Sequence, residues 1–283
     1  MLQLGRWRLA SVIAGAYALD GGAVFGTVPR PVWEKQAPPD ARNRVRLVSR
    51  CLLAQDDAGR RVLVDTGMGD RWDAPGLDRF AVESPGEALE RGLAAHGLTR
   101  ADVTDVLLTH LHFDHAGGST RRGAAGALEC TFPNASWHVQ RHNWQWAHSP
   151  TEKDRGSYRR DDFELLVHCG RLHLVEGPCE LFPDLELIVS DSHTVGQQLP
   201  RFHAGSTHLT FCGDVIPTRA HLRVPWIMAY DLNPLTTLED KKMLLAEAIE
   251  DDGILFFEHD PDVAACRLCE QDGVPAFREA VEL

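Results

Sequence analysis

The sequence predicts a single α/β domain over residues 1–283, and two observations lead to this fold class. Short β-rich runs alternate with helix-like segments along the whole chain, as they do in α/β proteins. In addition, no internal repeat, low-complexity tract or Gly/Ser-rich linker divides the chain. A chain of this length buries a sizeable core, so its folding requires neither disulfides nor a metal.

The first predicted elements are a hairpin, a helix and a buried strand. The β-rich runs 44–55 and 60–65 are separated by Asp-Asp-Ala-Gly, a composition that turns favour. Residues 85–98 carry apolar side chains at helical spacing, with Gly97 at the end, and therefore predict a helix. The run 104–109, rich in leucine and β-branched residues, predicts a buried strand directly after it.

The second half of the chain continues the alternation. Three further strand-like runs lie at 185–190, 209–212 and 254–257. Between the last two, residues 236–250 have an apolar face of helical period, and Thr237 is the predicted N-cap. A mostly polar stretch around 141–170 predicts a helical insertion in the domain.

The apolar run 9–19 near the N-terminus has two interpretations. Arg6 and Arg8 precede it, as basic residues precede the apolar part of a signal peptide. However, the run is short, contains Ser11 and Gly15, and continues into Asp-Gly-Gly, which favours a strand and a turn. No other apolar stretch approaches the roughly 20 residues of a membrane helix. We therefore predict a soluble, cytoplasmic protein.

The amino-acid composition limits the binding partners and the cellular compartment that we expect for the protein. The 29 Lys and Arg against 41 Asp and Glu give a net charge of −12, which argues against nucleic-acid and polybasic membrane contacts. The seven cysteines are scattered and odd in number, which favours a reducing compartment over a disulfide framework. Cys266 and Cys269 could form a redox pair or half of a zinc site, but no second cysteine pair supports either role. The expected partner is a small-molecule substrate, and a homodimer stays open.

The stretch LLTHLHFDHAGG, residues 107–118, concentrates potential metal ligands at the end of a predicted strand. In extended chain, His110 and His112 point to the same side, and a turn can bring Asp114 and His115 into the same space. Neutral imidazoles and carboxylates suit zinc and other first-row metals. The alternative is a polar surface turn without a metal.

Other strand ends favour the metal site over the surface turn. His193 follows one predicted strand, Asp214 follows another, and Glu258-His259 follows the last. Several strands thus deliver a potential ligand at the same kind of position, as expected for a site assembled along one edge of a sheet.

Five short motifs occur between residues 62 and 259. They are Asp65 in VDTG, His110-x-His112-x-Asp114-His115, His193, Asp214 in FCGD, and His259. In this order and with these separations they resemble the five successive motifs of the metallo-β-lactamase superfamily. The resemblance implies a four-layer αβ/βα sandwich with a metal site at one edge of its two sheets.

The resemblance also implies a dinuclear centre. The first metal would be held by His110, His112 and His193, the second by Asp114, His115 and His259, and both by Asp214. Asp65 would orient the ligand loop through hydrogen bonds. Asp114 would also pass a proton to the leaving group. The carboxylate at 214 argues against β-lactam hydrolysis, because the lactamases have a cysteine ligand there.

Within the superfamily, the motif spacing resembles the acyl-homoserine lactonase and methyl parathion hydrolase branches. Well-known lactonases carry a tyrosine three residues after the bridging aspartate, where it can donate a hydrogen bond to the substrate carbonyl. This chain has Pro217 instead, so Tyr230 would have to replace that tyrosine. The segment after Asp214 could line an apolar pocket or simply pack into the core. Its candidate pocket residues are His221, Trp226, Met228 and Tyr230.

These implications predict a dinuclear metal-dependent hydrolase. A hydroxide bridging the two metals would attack a small, fairly apolar lactone, ester or phosphotriester. The expected cofactors are two divalent ions, zinc first, with Fe, Mn, Co and Ni as alternatives. Two other functions stay open, namely a mononuclear iron enzyme like the persulfide dioxygenases and a non-catalytic member that binds metal and ligand.

Overall fold

The computed structural model describes residues 1–83, 85–169 and 171–283, and most of its strands belong to two large mixed sheets. The strands are β1 (Leu2–Leu4), β2 (Trp7–Asp20), β3 (Arg44–Gln55), β4 (Arg61–Val64), β5 (Asp105–Leu107), β6 (Thr120–Arg122), β7 (Leu128–Cys130), β8 (Ser136–Gln140), β9 (Leu172–Val175), β10 (Cys179–Phe182), β11 (Leu185–Ser190), β12 (Gln197–Ala204), β13 (Thr207–Phe211), β14 (Ile254–Phe256), β15 (Ala265–Gln271) and β16 (Val274–Val281).

The first sheet has the strand order β1-β2-β3-β4-β5-β8-β9, and the second runs β10 to β16 in sequence order. Strands β4, β5, β8 and β9 pair in parallel, as do β13 and β14, whereas the other pairs within these sheets are antiparallel. A separate two-stranded ribbon joins β6 to β7. The hairpin predicted from the turn sequence is the pair β3 and β4.

Side chains alternate along the strands, so the hydrophobic core has three layers. One lies between the two sheets, and one lies on the outer face of each sheet. Leu52 and Ala54 point between the two sheets, while Cys51 and Leu53 point to the outer face of the first sheet. Likewise Ile254 and Phe256 contact the inter-sheet core, whereas Leu255 packs on the outer face of the second sheet. Helices cover both outer faces, so the predicted four-layer αβ/βα sandwich is confirmed.

Seven α-helices connect or cover the strands of the described residues, and the start of the longest one has a clear local cause. They are α1 (Gly21–Phe25), α2 (Arg30–Trp33), α3 (Ala74–Phe80), α4 (Glu87–Ala95), α5 (Phe113–Ala116), α6 (Arg141–His148) and α7 (Pro234–Glu250). Helix α7 begins with Pro234 at its first position and Asn233 at the N-cap, so the prediction of Thr237 as its cap is wrong. Proline fits this first turn because its missing N–H would have no partner in the helix.

Strand β2 contains the apolar run for which a signal peptide was the alternative. It pairs with β3 along its length. Among the described residues, no helix is both long and apolar enough to cross a membrane.

The segment 141–170 consists of α6 followed by three short 3-10 helices, as far as residue 169. The last of these helices brings Cys169 to Cys130 on β7, and the two sulfurs are joined as a disulfide. This disulfide differs from the prediction, which favoured a reducing compartment over disulfides. The two cysteines are 39 residues apart in the sequence, and that separation gives no sign of their pairing. Cys266 is buried among apolar side chains on β15, and Cys269 lies three residues further along the same strand.

Candidate metal centre

The predicted ligands lie at one edge of the sandwich because each follows the end of a strand. His110 and His112 follow β5, His193 follows β11, Asp214 follows β13 and His259 follows β14. Helix α5 begins immediately after His112 and turns the chain back, which brings Asp114 and His115 to the same place. Sheet topology therefore brings together side chains that are far apart in sequence.

The first cluster contains three imidazoles and one carboxylate, all buried. His112 Nδ1 lies 3.0 Å from His110 Nε2 and 3.1 Å from His193 Nε2. Asp214 Oδ2 lies 3.0 Å from the same His193 nitrogen and 4.0 Å from His110 Nε2. All four ligand atoms lie within 4.8 Å of one another, which is close enough to surround one metal ion.

The second cluster contains Asp114, His115 and His259, again buried and within 4.8 Å of one another. His259 Nε2 lies 3.2 Å from His115 Nε2 and 2.9 Å from Asp214 Oδ1. Asp214 Oδ2 is nearest to His193 of the first cluster and Oδ1 is nearest to His259 of the second, while Oδ2 also lies 3.5 Å from His115 Nε2. Asp214 therefore lies between the two clusters, as a bridging carboxylate would.

Two carboxylates orient imidazoles from behind. Asp231 Oδ1 lies 2.9 Å from His193 Nδ1, and Asp65 Oδ2 lies 3.0 Å from His115 Nδ1. Glu258 Oε2 lies 2.9 Å from the same His115 nitrogen without a hydrogen bond, and burial raises the pKa of Glu258 to about 8. Burial lowers the pKa of His193 and His115, but the nearby carboxylates outweigh it, raising the pKa of His193 to about 9 and that of His115 well above its usual value. A metal that binds these imidazoles would therefore displace a proton from each.

Asp65 and Asn143 fix the backbone of the loops that carry the ligands. Asp65 accepts hydrogen bonds from the N–H and the hydroxyl of Thr109, the residue before His110. Asn143 on α6 accepts from the Leu111 N–H and donates to the Val195 carbonyl. Sequence reasoning expected this orienting role for Asp65 but missed Asn143, which has no motif of its own.

The donor set fits divalent cations. Burial and the neighbouring imidazoles lower the pKa of His110 and His112 well below the usual value, so both are neutral at pH 7. The nitrogens His110 Nε2 and His112 Nδ1 face each other at 3.0 Å, and His112 Nε2 is buried without a hydrogen-bond partner. Neutral imidazoles with a carboxylate are a favoured donor set for first-row metals.

Tyr17 on β2 belongs to this site, although its position in the sequence gave no sign of it. The buried Tyr17 hydroxyl donates to Asp114 Oδ2 at 2.7 Å and lies 3.2 Å from His259 Nδ1. Burial and the Asp114 carboxylate raise the pKa of Tyr17 well above its usual value, so the phenol keeps its proton. It therefore holds Asp114 in one orientation.

A cavity of about 320 Å³ opens beside the two clusters. Asp114, His193, Asp214 and His259 form its polar side, and much of the remaining wall is apolar or aromatic. The wall includes Leu19, Val24, Leu47, Phe80, Phe113 and Pro217. A small, fairly apolar molecule would match this lining.

Two of the four predicted pocket residues line this cavity and two do not. Met228 and Tyr230 lie in its wall. His221 and Trp226 instead pack against Phe25 and, contrary to the prediction, are not part of the lining of this cavity. The 3-10 turn Arg219–Leu222 directs His221 into the protein, where its ring nitrogens bond to Thr218 Oγ1 and the Val24 carbonyl.

His221 predicts a pH dependence of stability. Burial lowers its pKa to about 3, against 6.5 for an ordinary histidine. Between these pH values the unfolded chain binds more protons at His221 than the folded chain, so this contribution to stability is present above pH 6.5 and is lost during acidification. As the pH falls below 6.5, we expect the free energy of unfolding of the metal-free His221→Gln protein to decrease less steeply than that of the wild type. The two slopes should differ by about 1 kcal/mol per pH unit.

Urea unfolding at pH 7.5, 6 and 5 measures this difference in slope. His142→Gln, at an exposed histidine, is the matched control and should keep the wild-type slope. Equal slopes in the wild-type and His221→Gln proteins would contradict a neutral, buried His221.

Together the sandwich and the two clusters at its edge define a class of α/β proteins with a candidate divalent-metal centre. The sequence model of the metallo-beta-lactamase superfamily matches residues 44–121. The matched residues contain the first two of the five motifs, so the match agrees with the resemblance seen in the sequence.

Similar proteins cover most of the chain. A probable metallo-hydrolase of Mycobacterium tuberculosis is 28% identical over 248 residues, which are 77% of this chain and 76% of that protein. The N-acyl homoserine lactonase of Bacillus thuringiensis subsp. kurstaki is 27% identical over 229 residues, or 74% of this chain and 80% of the lactonase. The crystal structure of a probable metal-dependent hydrolase from Staphylococcus aureus superposes with a TM-score of 0.88 at 28% identity, covering 99% of this chain and 100% of the other.

Proposed function

We propose that the protein is a dinuclear metal-dependent hydrolase that cleaves a small, fairly apolar lactone, ester or phosphotriester. The observation that carries the proposal is the position of Asp214, whose two oxygens face two separate His/Asp clusters beside the cavity. Zinc is the metal we expect first, since the donors are imidazole and carboxylate, although Fe, Mn, Co and Ni accept the same donors.

The likeness to an N-acyl homoserine lactonase supports the lactone among the three substrate classes. The largely apolar wall of the cavity supports it further, because the acyl chain of such a substrate needs an apolar surface. The β-lactam class is disfavoured, since the position of the lactamase cysteine ligand holds Asp214 here.

The residues would divide the work as follows. When bound, a pair of divalent ions lowers the pKa of water toward neutrality and polarises a carbonyl or phosphoryl oxygen. Asp114 belongs to the second cluster and lines the cavity, with Oδ2 held by Tyr17, so it can take the proton of the attacking water. As the new C–O or P–O bond forms and the old one breaks, Asp114 returns that proton to the leaving oxygen.

Tyr230 is the best candidate to hydrogen-bond the substrate oxygen. Tyr230 lies in the cavity wall, and among the described residues its hydroxyl has no hydrogen-bond partner. The Tyr17 hydroxyl, by contrast, already donates its proton to Asp114. Burial and the Asp114 carboxylate raise the pKa of Tyr230 to about 12, so its phenol is protonated at neutral pH. Tyr230 would therefore supply a hydrogen-bond donor in the same cavity that Pro217 lines. Pro217 stands at the position where the lactonases have their tyrosine.

Tyr230→Phe tests this role. We expect kcat/KM for the preferred substrate to fall about 100-fold, because the donor to the developing oxyanion is removed. Metal affinity should stay at the wild-type value. By contrast, Tyr17→Phe should weaken metal binding, since it frees Asp114. A Tyr230→Phe enzyme with unchanged kcat/KM would show that another group stabilises the oxyanion.

Metal analysis followed by a substrate panel tests the proposal as a whole. The protein is reconstituted separately with Zn, Fe, Mn, Co and Ni, and bound metal is counted per chain. Each form is then assayed with a lactone series, aryl esters and phosphotriesters, and with glutathione persulfide for oxygen uptake. Two metals per chain with hydrolysis supports the proposal. One iron per chain with oxygen uptake would favour the dioxygenase alternative, and two metals without any turnover would favour a binding protein.

A further inference from the structure

The cavity wall between residues 223 and 231 has neither helix nor strand, yet it carries three residues that line the cavity, Met228, Ala229 and Tyr230. Such a segment needs other bonds to keep one conformation. We call it the wall loop. Among its few regular contacts is the hydrogen bond from the Ala229 N–H to the Ala23 carbonyl at 2.8 Å.

Two lysines bind the wall loop through its backbone carbonyls. Lys153 Nζ donates to the carbonyls of Ala229, Tyr230 and Asp231 at 3.0, 2.7 and 2.9 Å. Lys241 Nζ, from α7, donates to those of Arg223, Val224 and Trp226 at 3.0, 3.1 and 2.5 Å. One ammonium group therefore holds each end of the loop.

Lysine suits this task better than arginine. An ammonium group offers three donors from one nitrogen, which converging carbonyls can share, whereas the planar guanidinium spreads its donors over a rigid fork. The chain has 29 basic residues, of which only four are lysines, and two of those four bind the wall loop. The other two, Lys35 and Lys242, lie elsewhere.

Lys153 itself is held in place. The following residue, the buried Asp154, accepts hydrogen bonds from the N–H and hydroxyl of Thr151 and from Trp146 Nε1. The turn that presents Lys153 is thus tied to α6, which begins the segment 141–170. Through Lys153 this segment reaches the side of the cavity that bears Tyr230.

Asp231 connects Lys153 to the candidate metal centre. The Asp231 carbonyl accepts from Lys153, and the Asp231 carboxylate lies 2.9 Å from His193 Nδ1. We propose that Lys153 is a positioning residue that fixes the wall loop, so that Tyr230 faces the substrate and Asp231 orients His193. The catalytic part of this inference rests on the proposed hydrolase function, but the fixing of the loop does not.

Amide hydrogen exchange tests the fixing of the loop directly. We compare wild type, Lys153→Met, Lys153→Arg and the matched control Lys242→Met, an exposed lysine that pairs with Glu239. In Lys153→Met, the peptide covering residues 223–233 should exchange roughly tenfold faster, since three charge-assisted bonds are lost. Lys153→Arg should resemble Lys153→Met, and Lys242→Met should resemble wild type.

Kinetics and metal affinity test the catalytic part. In Lys153→Met we expect KM to rise roughly tenfold for the preferred substrate, with a smaller loss in kcat, and zinc affinity to fall several-fold in competition with a chelating dye. Unchanged exchange in residues 223–233 of a folded Lys153→Met protein overturns the proposal, as does wild-type exchange in Lys153→Arg. If the wild type hydrolyses nothing in the panel, the proposed function fails, and exchange still decides the role of Lys153.

Discussion

Asp214→Ala is expected to remove hydrolytic activity and the binding of at least one metal ion. Asp214 contributes to both clusters, with Oδ2 at 3.0 Å from His193 Nε2 and Oδ1 at 2.9 Å from His259 Nε2. Its loss also removes the carboxylate that contacts ring nitrogens of both clusters. We expect kcat/KM to fall by at least about 10³-fold, since a metal-assisted reaction draws several kcal/mol of its rate from the correctly held ions.

The measurements are steady-state kinetics and metal content per chain after dialysis with the reconstituting metal. Asp57→Ala is the matched control, because Asp57 is an exposed aspartate whose side chain is 79% accessible. Circular dichroism checks that both variants are folded. An Asp214→Ala protein that keeps two metals per chain and its activity would show that the clusters do not share this carboxylate.

The edge of the sheet and its ligands could be predicted because both depend on local sequence. Apolar runs of strand length fix where β5, β13 and β14 end, and the polar residue that follows each run lies at the same edge. His110-x-His112-x-Asp114-His115 is short enough that chain geometry alone brings its members together. Strand ends and spacing therefore placed the predicted cluster residues before any tertiary contact was known.

The remainder of the site depends on contacts between distant segments. Tyr17 reaches Asp114 across 97 residues, and Lys153 reaches Tyr230 across 77. Neither residue lies in a motif, because each acts through one side chain whose partner is set by the tertiary packing of distant segments. His221 is the opposite case, since it lies near Asp214 in sequence but a 3-10 turn directs it against the ring of Phe25, outside the lining of the cavity.

Lys241→Met is expected to lower the free energy of unfolding by about 3 kcal/mol. Lys241 has no accessible surface, and its Nζ donates to three carbonyls of the wall loop, while burial lowers its pKa to about 7. Methionine fills a similar volume but offers no donor, so the carbonyls of Arg223, Val224 and Trp226 lose their partner in the interior. A buried acceptor left without a donor carries the full cost of its lost hydration.

Urea unfolding of the metal-free proteins measures this loss, with the neighbouring Lys242→Met as control. Lys242 is exposed on the same helix, so its variant should stay within about 0.5 kcal/mol of wild type. The two substitutions change the same residue type at adjacent positions and differ in what the ammonium group contacts. If Lys241→Met were as stable as Lys242→Met, the carbonyls of the wall loop would have to find water or another donor, and the loop would not depend on Lys241 for its conformation.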